Sequence, residues 1–199
     1  MRSKGIYSGL ILGVSGALIL ALLGLIVIEI AHESRQSLDQ LGVVPEFSFI
    51  DQNGNIFGKE QMMGHLNIVN FFFTSCKGPC PYMNGKVAEL YQKYSTTNRV
   101  QFVSVSVDPE TDSLQVLRNY AARFGVTDER WRFLRGPVED VQNLTEHGFH
   151  LAGELPNLHS TKLILVDQNG TIRGYYDSFD DASLDVLTVH TRALLRGMM

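Results

Sequence analysis

The stretch LNIVNFFFT, from Leu66 to Thr74, is apolar at six of its nine positions and uncharged throughout, and it stops just before the only two cysteines in the chain, Cys76 and Cys80. It is shorter than an ordinary helix and rich in aromatic and β-branched side chains, which predicts a strand with no polar face. Such a strand has to be covered on both sides, so the domain around it must be layered, with a sheet inside and helices outside. The following segments supply those layers. After Pro81, the residues Met83, Val87, Leu90, Tyr91 and Tyr94 recur at helical spacing and form one apolar stripe. VQFVSVSV, Val100 to Val107, alternates as a strand does, and SLQVLRNYAARFG, Ser113 to Gly125, carries a serine cap, a stripe and a terminal glycine. A short helix is expected from about Glu139 to His147, and a final one from Ala182 to Leu195.

Two hairpin signals accompany this alternation. In PEFSFIDQNGNIFG, Phe47, Phe49 and Ile56 flank Asn53-Gly54, a pair in which both turn positions accept positive φ. The same four letters, Asp-Gln-Asn-Gly, return at Asp167 to Gly170 between KLILV and TIRGYY. The flanks differ, so these are two similar hairpins and not a repeat architecture. Strand, helix, strand, helix, hairpin, helix describes an α/β sandwich on a mixed sheet, the pattern of a thioredoxin-like fold with an N-terminal β-hairpin extension.

Ahead of this domain, Ile6 to Ile28 contains no charged residue. About 20 such residues, rising 1.5 Å each, cross a hydrocarbon core of about 30 Å, whereas the apolar part of a signal peptide is only about 7–15 residues long. A single uncleaved transmembrane helix is expected over residues 6–30. Arg2 and Lys4 precede the uncharged run and Glu29 and Glu33 follow it with Arg35, which places residues 1–5 in the cytoplasm and everything after the span outside. Residues 31–44, opening with AHESRQSLDQL, lack a buried face and read as a tether to a domain over residues 45–199. The basic start is too short for an Arg- and Ser-rich transit peptide, so the expected location is a bacterial inner membrane with the domain in the periplasm. A net charge of −4 with no basic run offers nucleic acid no electrostatic footprint.

The exported topology sharpens the question of the cysteines, because disulfides persist outside the cytoplasm. A bridge across Lys77, Gly78 and Pro79 would close so small a loop that it removes little entropy from the unfolded chain, which argues against a purely structural disulfide. Both thiols sit where a strand hands over to a helix, with Cys80 at or near the cap before Pro81. The partial positive charge of a helix N-terminus and the ammonium of Lys77 are expected to stabilise thiolates there. A thiolate pair exchanges electrons or holds a soft metal, and three intervening residues separate the sulfurs more easily than the two of a thioredoxin loop. Two thiolates leave zinc short of ligands, whereas Cu(I) accepts low coordination and prefers sulfur. Of the six histidines, His32, His65 and His190 show no link to the thiols, and His147 and His150 read as charges at a helix C-terminus. His159 stands just before a central strand, where α/β sheets gather their sites; on the residues alone a satisfied, partly buried histidine is the commoner reading and a ligand the rarer one. Met83 falls on the core stripe, and Met62 and Met63 read as packing.

FTSCKGPCP, VSVDPETDS from Val105 to Ser113 and LHSTKLILVDQNG from Leu158 to Gly170 together resemble the signature blocks of the SCO/SenC proteins. The resemblance extends from about Pro45 onward. It implies a membrane-anchored, thioredoxin-like protein that binds one copper ion, Cu(I) or Cu(II), through Cys76, Cys80 and His159, and that assists assembly of a respiratory cytochrome c oxidase by passing copper to an oxidase subunit. It makes Asp108 and Asp112 candidates for supporting the ligands or facing a partner, against the plainer reading of a turn at a strand end. One departure stands out: the family usually has proline directly after the first cysteine, where this chain has Lys77-Gly78-Pro79. On this reading the protein is a carrier and not an enzyme. The alternative is a thiol-disulfide oxidoreductase that uses Cys76 and Cys80 to reduce the acceptor's cysteines, for which His159 is dispensable. Nothing in the loop singles out a hydroperoxide site, and a purely structural domain leaves the thiols unexplained.

Overall fold

The computed structural model describes residues 38–151, 153, 155 and 160–198, together with 22, 24 and 25. The chain divides into two units, Met1–Leu38 and Asp39–Met199. The expected membrane span over residues 6–30 lies outside the described residues except at Leu22, Gly24 and Leu25, which are helical. Among the described residues, no helix is long and apolar enough to cross a membrane.

The larger unit is a mixed eight-stranded sheet with helices on its faces. Its strands are β1 (Gly42–Val43), β2 (Ser48–Asp51), β3 (Ile56–Gly58), β4 (Leu66–Phe72), β5 (Val100–Ser106), β6 (Trp131–Arg135), β7 (Lys162–Val166) and β8 (Thr171–Asp177). The helices are α1 (Lys59–Met62), α2 (Pro79–Lys93), α3 (Leu114–Arg123), α4 (Val138–Asn143), followed by a π-helical turn over Leu144–Gly148, and α5 (Asp181–Gly197). The strand order is β1-β8-β7-β4-β5-β6-β2-β3. At its centre β4 and β5 are parallel, β7 is antiparallel to β4 and β8 antiparallel to β7. Those four strands with α2, α3 and α5 reproduce the thioredoxin-like connectivity expected of the sequence.

Every residue of β4 is buried. The two-residue period sends Leu66, Ile68 and Phe72 into one core with Met83, Val87 and Leu90 of α2, Leu117 and Tyr120 of α3 and Leu187 of α5. Val69 and Phe71 enter the opposite core, with Phe49 and Phe57 of the first hairpin, Val141 of α4 and Phe149. A strand this central places whatever follows it, here the cysteine loop, at a sheet end enclosed by both layers.

The structure departs from the sequence-based expectations at several places. WRFLR mixes apolar residues with two arginines and shows no clean period, and its strand β6, paired in parallel with β5, was not expected. Within the last residues of the expected tether, Gly42 and Val43 pair with Ile172 and Thr171, and Val44 is fully buried. The helix expected to His147 gives way to the π-helical turn after Asn143.

The two Asp-Gln-Asn-Gly segments build nearly the same loop. Asn53 and Asn169 do not take positive φ; only Gly54 (89°) and Gly170 (77°) do, because the loop is a three-residue turn closed by a left-handed glycine. Asp51 Oδ1 accepts from the backbone N–H of Asn53 (2.8 Å) and Asn55 (2.9 Å). Asp167 Oδ1 accepts from Asn169 (2.9 Å) and Thr171 (2.9 Å) in the same way. Each buried carboxylate also pairs with an arginine, Asp51 with Arg132 of β6 and Asp167 with Arg173 of β8. Asp51→Ala removes the acceptor of two loop N–H groups and the buried partner of Arg132, which keeps only the exposed Glu129, so it is expected to lower stability by about 3–5 kcal/mol. Urea unfolding of the variant checks this, and a loss below about 1 kcal/mol contradicts it.

Candidate functional site

The thiols follow β4 directly. A turn after Phe72 returns Cys76, whose N–H donates to the Phe73 carbonyl (3.3 Å), and Gly78 caps α2. The helix begins at Pro79, two residues earlier than Pro81, so Cys80 lies inside its first turn and not at the cap. First-turn N–H groups have no intrahelical acceptors, so prolines at 79 and 81 forfeit no helical hydrogen bond. That gain, together with burial of the Cys80 side chain, outweighs the bias Pro81 imposes on the residue before it.

Both cysteines are buried, 7% and 2% exposed, and neither is bridged. Their side chains are hydrogen-bonded to each other. Burial pushes the Cys80 thiol up to about 12, with the bond to Cys76 adding to the rise; backbone hydrogen bonds at Phe73 and at Cys80 itself pull the other way and lose. For Cys80 the expected stabilised thiolate is therefore not what the fold provides. Desolvation exceeds the helix-end effect, and Lys77 is exposed to water that screens its charge. The raised value favours the folded state up to about pH 9, the ordinary value, and this contribution is lost as pH climbs toward 12.

Asp112 ties the DPETD segment to this loop. Its carboxylate is fully buried and accepts from the Thr74 N–H (3.2 Å), the Thr74 hydroxyl and the Ser106 hydroxyl (2.6 Å). A carboxylate holding three donors two residues from Cys76 positions the loop, and its burial rules out a partner-facing role. Asp108 is half-buried and acts through its backbone, its carbonyl accepting from Asp112 N–H (2.9 Å) and Thr111 N–H (3.2 Å). Both readings, support for the site and a strand-end turn, thus hold for this segment.

His159 lies outside the described residues. The strand that follows it begins at Lys162, and antiparallel pairing of β7 with β4 puts Lys162 at the sheet end where β4 hands over to the thiol loop. The remaining described histidines are not gathered at the thiols: His65 Nδ1 meets the Met63 carbonyl (3.1 Å), His190 Nδ1 meets the Tyr176 hydroxyl (2.7 Å), and His147 and His150 are exposed on and after the π-helical turn. Among the described residues no group of three histidine, cysteine or acidic side chains is placed to hold a metal. What is present is a pair of adjacent soft donors. Two bordering residues escaped the sequence patterns, Asn84 on α2 and Tyr120 on α3. Asn84 had a signal, a polar residue inside an apolar helical stripe four positions after Cys80.

Two measurements check this geometry. In the reduced chain at pH 8, alkylation of Cys80 is expected to be more than about tenfold slower folded than in urea, because the folded thiol is almost wholly protonated; equal rates contradict its burial. Asp112→Ala is expected to free the loop and speed alkylation of Cys76 by about tenfold or more, an opening of about 1.4 kcal/mol. An unchanged rate shows that the carboxylate does not hold the loop.

Comparison with known proteins adds kinship to this geometry. The SCO1/SenC family matches residues 35–193. The SCO1 protein homolog of Bacillus subtilis is 28% identical over 160 residues, 74% of this chain and 83% of that protein. The structure of BsSco, described as having a disulfide switch and as a member of the Sco family of cytochrome c oxidase assembly proteins, superposes with a TM-score of 0.66 at 28% identity, covering 78% of this chain and 98% of that one. ScoI of Arabidopsis thaliana, described with copper bound, shares the fold with a TM-score of 0.64 at 23% identity, covering 76% of this chain and 99% of that one.

Proposed function

The chain belongs to the SCO1/SenC family, and from that premise we propose that it is a copper-binding assembly factor for the copper centre of a respiratory cytochrome c oxidase. The observation that carries the reading is the pair Cys76 and Cys80, buried, unbridged and hydrogen-bonded to each other at the strand-to-helix junction. Two adjacent thiols suit a soft, low-coordinate ion such as Cu(I), and His159 supplies the nitrogen of a three-donor set. Copper here is cargo. Its entry displaces the Cys80 proton, and its exit proceeds by stepwise exchange of these thiolates for cysteines of the acceptor subunit. Residues 6–30 anchor the protein in a bacterial inner membrane with the domain on the periplasmic side. The copper described for Arabidopsis ScoI and the oxidase assembly role described for the Sco family support the reading.

A second reading, thiol-disulfide exchange with the acceptor's cysteines, draws on the same pair. It is supported by the contact between the two thiols and by the disulfide switch described for BsSco. Cu(I) titration of the reduced chain against a competing chelator separates the two. The expected result is one tight equivalent, weakened by more than about a hundredfold, or about 2.8 kcal/mol at about 1.4 per decade, in Cys76→Ser, and clearly weakened in His159→Ala. Native affinity in Cys76→Ser contradicts copper delivery, and weak binding indifferent to His159 moves the assignment to thiol exchange.

A further inference from the structure

The last helix, α5, has two apolar faces where a surface helix ordinarily has one. Leu187 and Thr191 are fully buried, and Leu184, Leu194, Leu195 and Met198 pack against the same core as Leu187. On the opposite face Ala182, Val186, Val189 and Ala193 are exposed, Val186 to 45% and Val189 to 61%. Their spacing of four, three and four residues keeps them on one line down the helix. Solvent-facing helix positions ordinarily carry polar side chains, and valine is a weaker helix former than the lysine or glutamate that would stand there. Just before the helix, Phe179 (51% exposed) adds to this surface, its ring 4.4 Å from that of Tyr82 (46% exposed) at the start of α2. Contiguous exposed apolar surface of this kind marks a contact with another molecule.

Charge identifies which one. Along one flank of the apolar line, α5 carries Asp181 and Asp185 in its first half and Arg192 and Arg196 in its second, all exposed. The helix dipole accounts for Asp181 and Arg196, which lie in the first and last turns, but it fades beyond those turns and does not account for Asp185 or Arg192. Asp181 pairs with Lys86 (3.2 Å), whereas Asp185, Arg192 and Arg196 form no ion pair among the described residues. A flank that changes sign halfway is complementary to its own reverse. When two such helices lie antiparallel about a two-fold axis, the same flank of each faces the other, and the acidic half of one meets the basic half of its mate. Parallel alignment would instead set Asp185 against Asp185 and Arg192 against Arg192.

The apolar positions obey the same symmetry. An axis between Leu187 and Thr188 sets Val186 opposite Val189 and Ala182 opposite Ala193 of the second copy, and brings each Asp185 beside an Arg192. It also sets Phe179 opposite Arg196, a cation for the face of an exposed aromatic ring.

We propose that the outward face of α5 is the interface of a symmetric homodimer, in which two copies of this chain pack α5 against α5 in antiparallel order about the Val186 and Val189 contacts. One helix face about 25 Å long buries an area at the low end for specific interfaces, so the dimer is transient, with a Kd on the order of 100 μM. Two copies then exchange between paired and free states, and the paired state covers the aromatic pair beside the helix that bears Cys80.

The test is sedimentation velocity of the reduced full chain in detergent, from about 5 to about 500 μM chain. The native chain is expected to pass from monomer to dimer across that range. Val186→Asp is expected to weaken association by about tenfold or more, and the single reversals Asp185→Arg and Arg192→Asp to weaken it by several-fold each. An equimolar mixture of the two single reversals is expected to regain association, because each chain supplies the charge that the other lacks, and the double reversal in one chain is expected to regain it as well. All three positions are exposed, so the variants keep the fold. A chain that stays monomeric throughout overturns the proposal and leaves the face to a different protein or to lipid. Association indifferent to Val186 and to both reversals runs through another segment of the chain and overturns it equally.

Discussion

The double-sided burial of β4 is the constraint on which the rest depends. With Phe71 and Phe72 driven into opposite cores, the strand cannot slide or tilt without opening both, and its C-terminal end becomes a fixed point. The thiol loop starts from that point and is held from a second direction by the Asp112 carboxylate at Thr74. α2 then leaves with two prolines in its first turn, stiffening the segment that bears Cys80. Two short-range sulfurs are thus presented by three rigid elements, which suits a site that must exchange ligands without losing its shape.

The chemistry at that point is a contest between burial and the helix end. The helix N-terminus and Lys77 favour thiolate, yet Cys80 is so enclosed that desolvation prevails and the sulfur keeps its proton. A metal that replaces the proton removes the conflict, because the ion neutralises the charge that burial penalises. A soft cation therefore has more to gain at this pair than a thiol exposed to water would offer it. Closure to a disulfide would also end the conflict, so the two proposed activities, copper holding and thiol exchange, would draw on the same two residues.

Much of the fold is legible in the residues themselves. The apolar run at Leu66, the alternation at Val100, the stripe after Pro81 and the repeated Asp-Gln-Asn-Gly each encode a local structure through a period or a turn, and each is found where its pattern lies. Strand β6 is not legible because WRFLR is short and carries two arginines without a clean two-residue period; its place between β5 and β2, with Trp131 and Phe133 in the core that holds residues of α2 and α3, depends on partners distant in sequence. β1 depends wholly on a partner, β8, more than a hundred residues away. At the site, spacing pointed to Cys76 and Cys80, while the part played by Asp112 depended on which atoms faced Thr74.

The central claim is that copper is held by the two sulfurs of this loop and one nitrogen. X-ray absorption at the copper edge, on the reduced chain loaded with one equivalent of Cu(I), counts those donors directly. Two sulfur scatterers and one nitrogen are predicted. A single sulfur, or a shell of nitrogen and oxygen alone, would contradict the assignment.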